Sequence, residues 1–224
     1  MRQALPDVSR QLIDFAKLQA VLFDMDGTLV ASDAAVERAW RTWSGEYGVD
    51  PEVVLSIAQG RPAASTVRDL RPDLGNDGVA KAAARQLALE YDDLSDVVAV
   101  AGALELLVVL DAHGLPWAVV TSADRRLAGA RLAAAKIPPP GALVTSEDVV
   151  RGKPDPEGYL LAAKLLGVGP ARCLVVEDAL PGAQAGAAAG AAVATLKGAP
   201  SDLQLEDLGQ LMELLVERLG PSPQ

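Results

Sequence analysis

The chain has 224 residues, half of them hydrophobic, and carries 20 Lys and Arg against 30 Asp and Glu, a formal net charge of −10. That acidity argues against a nucleic acid or an anionic membrane as partner, while the apolar half suffices for a core with room for an inserted second unit. The longest apolar stretch, 97–110, is broken by Gly102 and Glu105 and falls short of the ~20 residues that cross a bilayer, so no membrane span is expected.

At the N-terminus, Asp7, Arg10, Asp14 and Lys17 interrupt the apolar residues, unlike the apolar region of a secretory signal. A single Cys173 allows no internal disulfide, and the cytoplasm is the expected compartment. The first apolar run, Ala20 to Phe23, stops at Asp24 and reads as a buried strand. Residues 32–96 then offer no strand-like run. Ala35, Val36, Ala39, Trp40, Trp43 and Tyr47 repeat at helical spacing, Pro51 and Pro62 suit helix starts, and 80–91 reads as a fourth helix.

From Val97 onward strands and helices alternate. Trp117 to Val120, Ala142 to Val144 and Leu174 to Val176 read as strands, each ending in a polar or acidic residue. Helical composition covers 104–111, 125–136, 157–166 and 181–189, where Gly182, Gly186 and Gly190 fall four apart, on one face suited to close packing on a sheet. This alternation predicts an α/β fold: a doubly wound, Rossmann-like parallel sheet over 1–31 and 97–224, with a small all-helical unit, 32–96, inserted after the first strand. Ligands of such sheets bind beyond the carboxyl ends of the strands, where the terminating polar residues gather.

Four of those strand ends and loops carry chemistry. Asp24 and Asp26, at i and i+2 on an extended chain, can point at one centre; turn formation alone needs neither both acids nor the apolar frame around them. Thr121-Ser122 end the second long strand, where a helix N-cap is the competing reading. Lys153 sits between Gly152 and Pro154 ahead of a helix, and Glu177-Asp178 end a buried strand, where paired acids are costly unless compensated.

Together the stretches 24–30, 121–122, 151–156 and 174–178 resemble, in order and over nearly the whole chain, the four motifs of the haloacid dehalogenase superfamily of phosphohydrolases. The resemblance implies that Asp24 is the nucleophile forming an aspartyl-phosphate, that Asp26 protonates the leaving oxygen and then activates water, and that Lys153 bridges nucleophile and phosphate. It implies phosphate contacts from Gly27, Thr121 and Ser122. It also implies a magnesium ion held by Asp24, Glu177, Asp178 and the main-chain carbonyl of Asp26; without such counter-charge, four carboxylates could not accept a phosphate dianion.

Asp26 sets the chain apart from haloacid dehalogenases proper, which lack an acid there and use no metal. An inserted helical cap marks the subclass of sugar and glycerol phosphatases, phosphoglycolate phosphatase and β-phosphoglucomutase. The stretches 34–40, 114–122 and 151–161 look most like bacterial hexose and hexitol phosphatases. Where the mutase pattern carries a cap His this chain has Val36, and its lone His113 lies in the turn before the second long strand, which favours a phosphatase over the mutase; the mutase and a phosphoglycolate or glycerol-3-phosphate phosphatase stand as the alternatives. Gly60-Arg61-Pro62 matches a cap loop whose Arg faces the site. Ala31 departs from relatives with Asp there, which bears on hinge capping alone. A receiver domain, the rival of another class, needs neither Asp26 nor a cap. The expected partner is a small phosphorylated metabolite, and the expected assembly a monomer or small homo-oligomer.

Overall fold

Consecutive residues of an extended strand face opposite ways, and in the central strands both faces meet an apolar layer. In β1 (Ala20–Phe23), Val21 and Phe23 join one buried cluster and Ala20 and Leu22 another. The same division recurs in β4 (Trp117–Val120) and in β6 (Cys173–Glu177). This is why these strands read as unbroken apolar runs. The computed structural model describes residues 13–58 and 61–220, so Asp7 and Arg10, two of the N-terminal residues weighed against a signal sequence, and Gly60 lie outside the described residues.

With β5 (Ala142–Val144), β7 (Ala192–Thr195) and β8 (Leu203–Gln204), these strands form one six-stranded parallel sheet in the order β5-β4-β1-β6-β7-β8. Helices α5 (Ala103–Ala112), α6 (Arg125–Ala134) and α9 (Leu208–Leu219) cover one face, through Leu106, Leu132, Leu211 and their neighbours. Helices α7 (Glu157–Leu165) and α8 (Leu180–Ala188) cover the other, through Tyr159, Ala162 and Ala183. The doubly wound α/β expectation holds. Among the described residues no helix is long and apolar enough to cross a membrane.

Between β2 (Val30–Ala31) and β3 (Val98–Ala99), which pair antiparallel as a short ribbon, lie α1 (Asp33–Tyr47), α2 (Pro51–Ala58), α3 (Ala63–Leu70) and α4 (Gly75–Asp92). They share an apolar cluster of their own, centred on Trp40, Trp43, Val54, Val67 and Ala82. Trp43 packs edge-on against Trp40, stacks on Tyr47 and donates its indole N–H to the Ala82 carbonyl at 2.9 Å. The ring is thus both buried and satisfied.

One feature departs from the sequence expectation. Gly182 and Gly186 do pack tightly, since a Cβ on Gly186 would lie 2.8 Å from Val175 Cγ1 of β6, but Gly190 has φ +81° beyond the end of α8 and open space around it. It terminates the helix instead of packing on the sheet. His113 closes α5, its ring nitrogens on the carbonyls of Val109 and Gly220. The contact at Gly186 gives a test: Gly186→Ala should overpack α8 on β6 and destabilise the protein by about 1–3 kcal/mol, read as a lower midpoint in thermal unfolding; an unchanged midpoint would show that the two elements can separate freely.

Candidate active site

The sheet register assembles the site. Phe23 pairs with Val119 on one side and Val176 on the other, which brings Asp24, the next residue, level with Val120 and Glu177. Lys153 reaches this row from the loop before α7. Its ammonium donates to Asp24 Oδ1 at 2.5 Å, Glu177 Oε1 at 2.6 Å and the Val120 carbonyl at 3.0 Å, so all three of its donors are used. The loop is held in turn by Glu157, whose carboxylate accepts from the Val150 and Arg151 amides. Tyr159 donates its hydroxyl to the same Glu177 oxygen at 2.5 Å.

Asp178 follows Glu177, and one carboxylate oxygen from each of Asp24, Glu177 and Asp178 lies within 4.8 Å of the others, all three residues buried. Lys197 bridges Asp178 to Asp33 of α1, at 3.1 Å to each. Burial, then the neighbouring Glu177, pushes the Asp24 carboxyl well above its usual range, against the pull of Lys153. Burial also raises Asp178, opposed by Lys197. For Lys153, burial acts downward, but Asp24 and Glu177 outweigh it and hold the ammonium charged. Desolvated hard-oxygen donors this close, with more negative than positive charge around them, suit a divalent cation of the calcium or magnesium kind.

Asp26 lies in the tight turn that follows β1, closed by Leu29 and Val30 amides on the Met25 carbonyl and by Gly27 at φ +83°. The glycine is required there, because a Cβ would stand 2.2 Å from Asp178 Oδ2. The Asp26 carboxylate accepts the Ser32 hydroxyl at 2.6 Å and pairs with Arg131 at 3.0 Å. Thr121 Oγ1 accepts the Ala123 amide at 3.1 Å, while the N-cap of α6 is Asp124. Neither Thr121 nor Ser122 is spent on capping that helix.

Asp24, Asp26, Thr121, Ser122, Lys153, Glu177 and Asp178 all line one cavity of about 400 Å³ between the sheet and the four-helix unit. Arg61 lines it from the helical side, with its guanidinium on Ser65 and Asp69 of α3. Val36, Ala63, Ala64, Ala83, Ala84, Gln86, Leu87 and Glu90 complete that wall. Gly27 is not among the lining residues and meets the site from below, through Asp178. Tyr159, Ser32, Arg131, Glu90 and Lys197 escaped the sequence reading. Arg131 and Glu90 sit in helices with several other charges, and only tertiary packing singles them out.

A doubly wound sheet with an acid cluster and one buried lysine beyond its central strands defines an α/β enzyme that handles a charged group at the strand ends. Residues 18–190 match the haloacid dehalogenase-like hydrolase family, and the chain belongs to it. It is 42% identical to hexitol phosphatase A of Escherichia coli (strain K12), over 83% of this chain and 86% of that protein. It is 35% identical to validoxylamine A 7'-phosphate phosphatase of Streptomyces hygroscopicus subsp. limoneus, over 91% and 99%, and 37% identical to 2-deoxyglucose-6-phosphate phosphatase 1 of Saccharomyces cerevisiae, over 76% of each. Among solved structures, a hydrolase from Pseudomonas syringae superposes with a TM-score of 0.79 at 26% identity, covering 89% of this chain and 98% of that one. A β-phosphoglucomutase from Clostridium difficile shares the fold, with a TM-score of 0.80 at 19% identity over 90% and 97%.

The charge balance predicts opposite responses to two substitutions. In chelator, Lys153→Met should lower stability by about 3–5 kcal/mol, because buried carboxylates lose their counter-ion. Asp24→Asn, which removes one of the crowded acids, should melt at or above the wild-type temperature. Thermal unfolding of both variants, with and without a divalent cation, checks the pair; equal loss in both would refute the electrostatic account.

Proposed function

We propose that this chain is a magnesium-dependent phosphatase of small sugar or polyol phosphates, acting in the cytoplasm, with residues 32–96 as a cap over a catalytic core of 1–31 and 97–224. The observation that carries the proposal is Lys153, whose ammonium ties Asp24 and Glu177 together on the floor of a cavity walled by α3 and α4. Hexitol, validoxylamine and deoxyglucose phosphates, named for the relatives, share a polyhydroxylated leaving group, which this polar-floored cavity suits.

In the proposed reaction an Asp24 oxygen attacks phosphorus, and the bond from phosphorus to the sugar oxygen breaks as Asp26 gives that oxygen a proton. Asp26 then takes a proton from water, which attacks the same phosphorus, releasing inorganic phosphate and restoring the Asp24 carboxylate. Thr121 and Ser122 hold the phosphoryl oxygens during both transfers, and the Lys153 ammonium offsets their charge, turning one N–H from the Asp24 oxygen to the phosphoryl group as that oxygen bonds to phosphorus. Asp24, Glu177, Asp178 and the Asp26 carbonyl would hold the magnesium, which when bound supplies positive charge against the carboxylates and the phosphoryl group. Arg61, from the cap, would orient the substrate. The hydrophobic Val36 supports hydrolysis over mutase chemistry, since it offers no hydrogen bond with which sugar binding could gate Asp26.

Released phosphate measured across a panel of hexose, hexitol and glycerol phosphates, first in magnesium and then in EDTA, tests the proposal. Turnover of hexose or hexitol phosphates, lost in EDTA and lost by several powers of ten in Asp24→Asn, is expected. Full activity in EDTA, or substantial turnover by the pure variant, would refute the assigned roles. Phosphorus NMR with glucose 1-phosphate and glucose 6-phosphate should show phosphate release, and isomerisation outrunning it would make the chain a mutase.

A further inference from the structure

Arg131 is 3% exposed, deep in α6, in a chain whose other arginines described above lie at the surface or on the cap. A buried guanidinium is kept only where it is paired, and this one is paired twice. Its Nη1 lies 3.0 Å from Asp26 Oδ1, and its Nη2 donates to Glu90 Oε2 of α4 at 2.8 Å. Asp26 belongs to the turn after β1, and Glu90 to the last helix of the four-helix unit. One planar group therefore spans the junction between the two and ends on the carboxylate assigned to proton transfer.

Each neighbour narrows the geometry further. The Ser32 hydroxyl falls on Asp26 Oδ1, the same oxygen that faces Arg131, so one side of the carboxylate is gripped by donors from two different elements. Gln86, one turn before Glu90 and 1% exposed, donates its amide to Glu90 Oε1, which fixes the other end of the bridge. Next to it, the Tyr91 hydroxyl donates to the Asp124 carboxylate at 2.7–2.8 Å, and Arg126 lies over the Tyr91 ring, so the end of α4 is seated on α6 at two adjacent residues. Of these two seats only the one through Glu90 continues to Asp26. Arg131 lines the cavity, and its buried Nε finds no partner among the described residues. A buried donor left over in this way is uncommon in a group held for packing alone.

We infer that Arg131 is a positioning residue that aims the Asp26 carboxylate while Glu90 of the cap is seated on it, so that proton transfer is assembled by the closed arrangement of cap and core. The inference rests on the proposed role of Asp26. Without Glu90, the guanidinium has an acid on one side only, the half-buried Asp26, and is free to turn with it. Without Arg131, Asp26 keeps the Ser32 contact alone and the cap loses its link to the reacting group. Misplacement of a reacting group by about 1 Å costs on the order of a hundredfold in rate.

The experiment is pre-steady-state turnover of p-nitrophenyl phosphate, whose leaving group needs little protonation, so that breakdown of the aspartyl-phosphate reports the aim of Asp26. Arg131→Met should release one p-nitrophenol per enzyme in a burst and then turn over about a hundredfold more slowly, with KM falling alongside kcat so that kcat/KM stays near the wild-type value. Glu90→Gln should move the same way by about tenfold, Arg131→Lys should recover part of the loss, and Glu90→Gln should add little in the Arg131→Met background. Should Arg131→Met fail to fold, Glu90→Gln and Arg131→Lys decide on the same readout. Asp26→Ala, run in parallel, separates the two layers. If it breaks down the phosphoenzyme at the wild-type rate, the role of Asp26 falls and the inference with it. If Asp26→Ala is slow while the folded Arg131 and Glu90 variants match wild type, or lose only thermal stability, Arg131 merely neutralises Glu90 and the inference alone is overturned.

Discussion

The interaction on which the rest depends is the three-way grip of the Lys153 ammonium on Asp24, Glu177 and the Val120 carbonyl. Three parallel strands in register present those acceptors in one row, and no single strand could do so. The grip demands a cation held in the protein interior. That demand is met because the carboxylates around it outnumber it, and it explains why Asp24, despite its lysine, is still pushed toward the protonated side by burial and by Glu177. A site so arranged is electrically incomplete by itself, which agrees with the metal and phosphate ester that the proposed reaction brings to it.

The cavity above that row divides its labour by element. The sheet side supplies charge and hydroxyls from strand ends and short loops, whereas the helical side is largely alanine, from Ala63, Ala64, Ala83 and Ala84 of α3 and α4. Alanine at consecutive helical positions costs the helix nothing in propensity and leaves space beyond the backbone. The polar residues in that wall, Gln86, Glu90 and Arg61, are each tied to a neighbour, so their donors and acceptors stand at defined places. Shape comes from what the alanines omit, and orientation from the few groups that are pinned.

Much of this was legible in the sequence, for reasons that differ between parts. The central strands were readable because burial on both faces forces unbroken apolar runs, and the residues that end those runs are the ones the sheet brings together. The ribbon of β2 and β3 was not, since two-residue strands carry no period. Strand β7 was hidden in a stretch rich in alanine and glycine that reads equally well as helix, and Gly190 was placed on a packing face when its positive φ in fact ends α8. The amphipathic spacing of Leu208, Leu211 and Leu215 was a usable signal for α9. Arg131 had none. Its importance comes from two partners, one 105 residues before it and one 41 residues before it, that only the fold brings within reach.

The place of β1 in the sheet order has a consequence for the chain as it is made. Its neighbours, β4 and β6, begin at Trp117 and Cys173, so β1 and Asp24 leave the ribosome long before either partner exists. The helical unit, with its own apolar cluster around Trp43, follows β1 directly and can condense while the sheet is still missing its centre. Asp24 thus waits through most of synthesis, and acquires its lysine and its crowding only after Lys153 and the strand carrying Glu177 have been made.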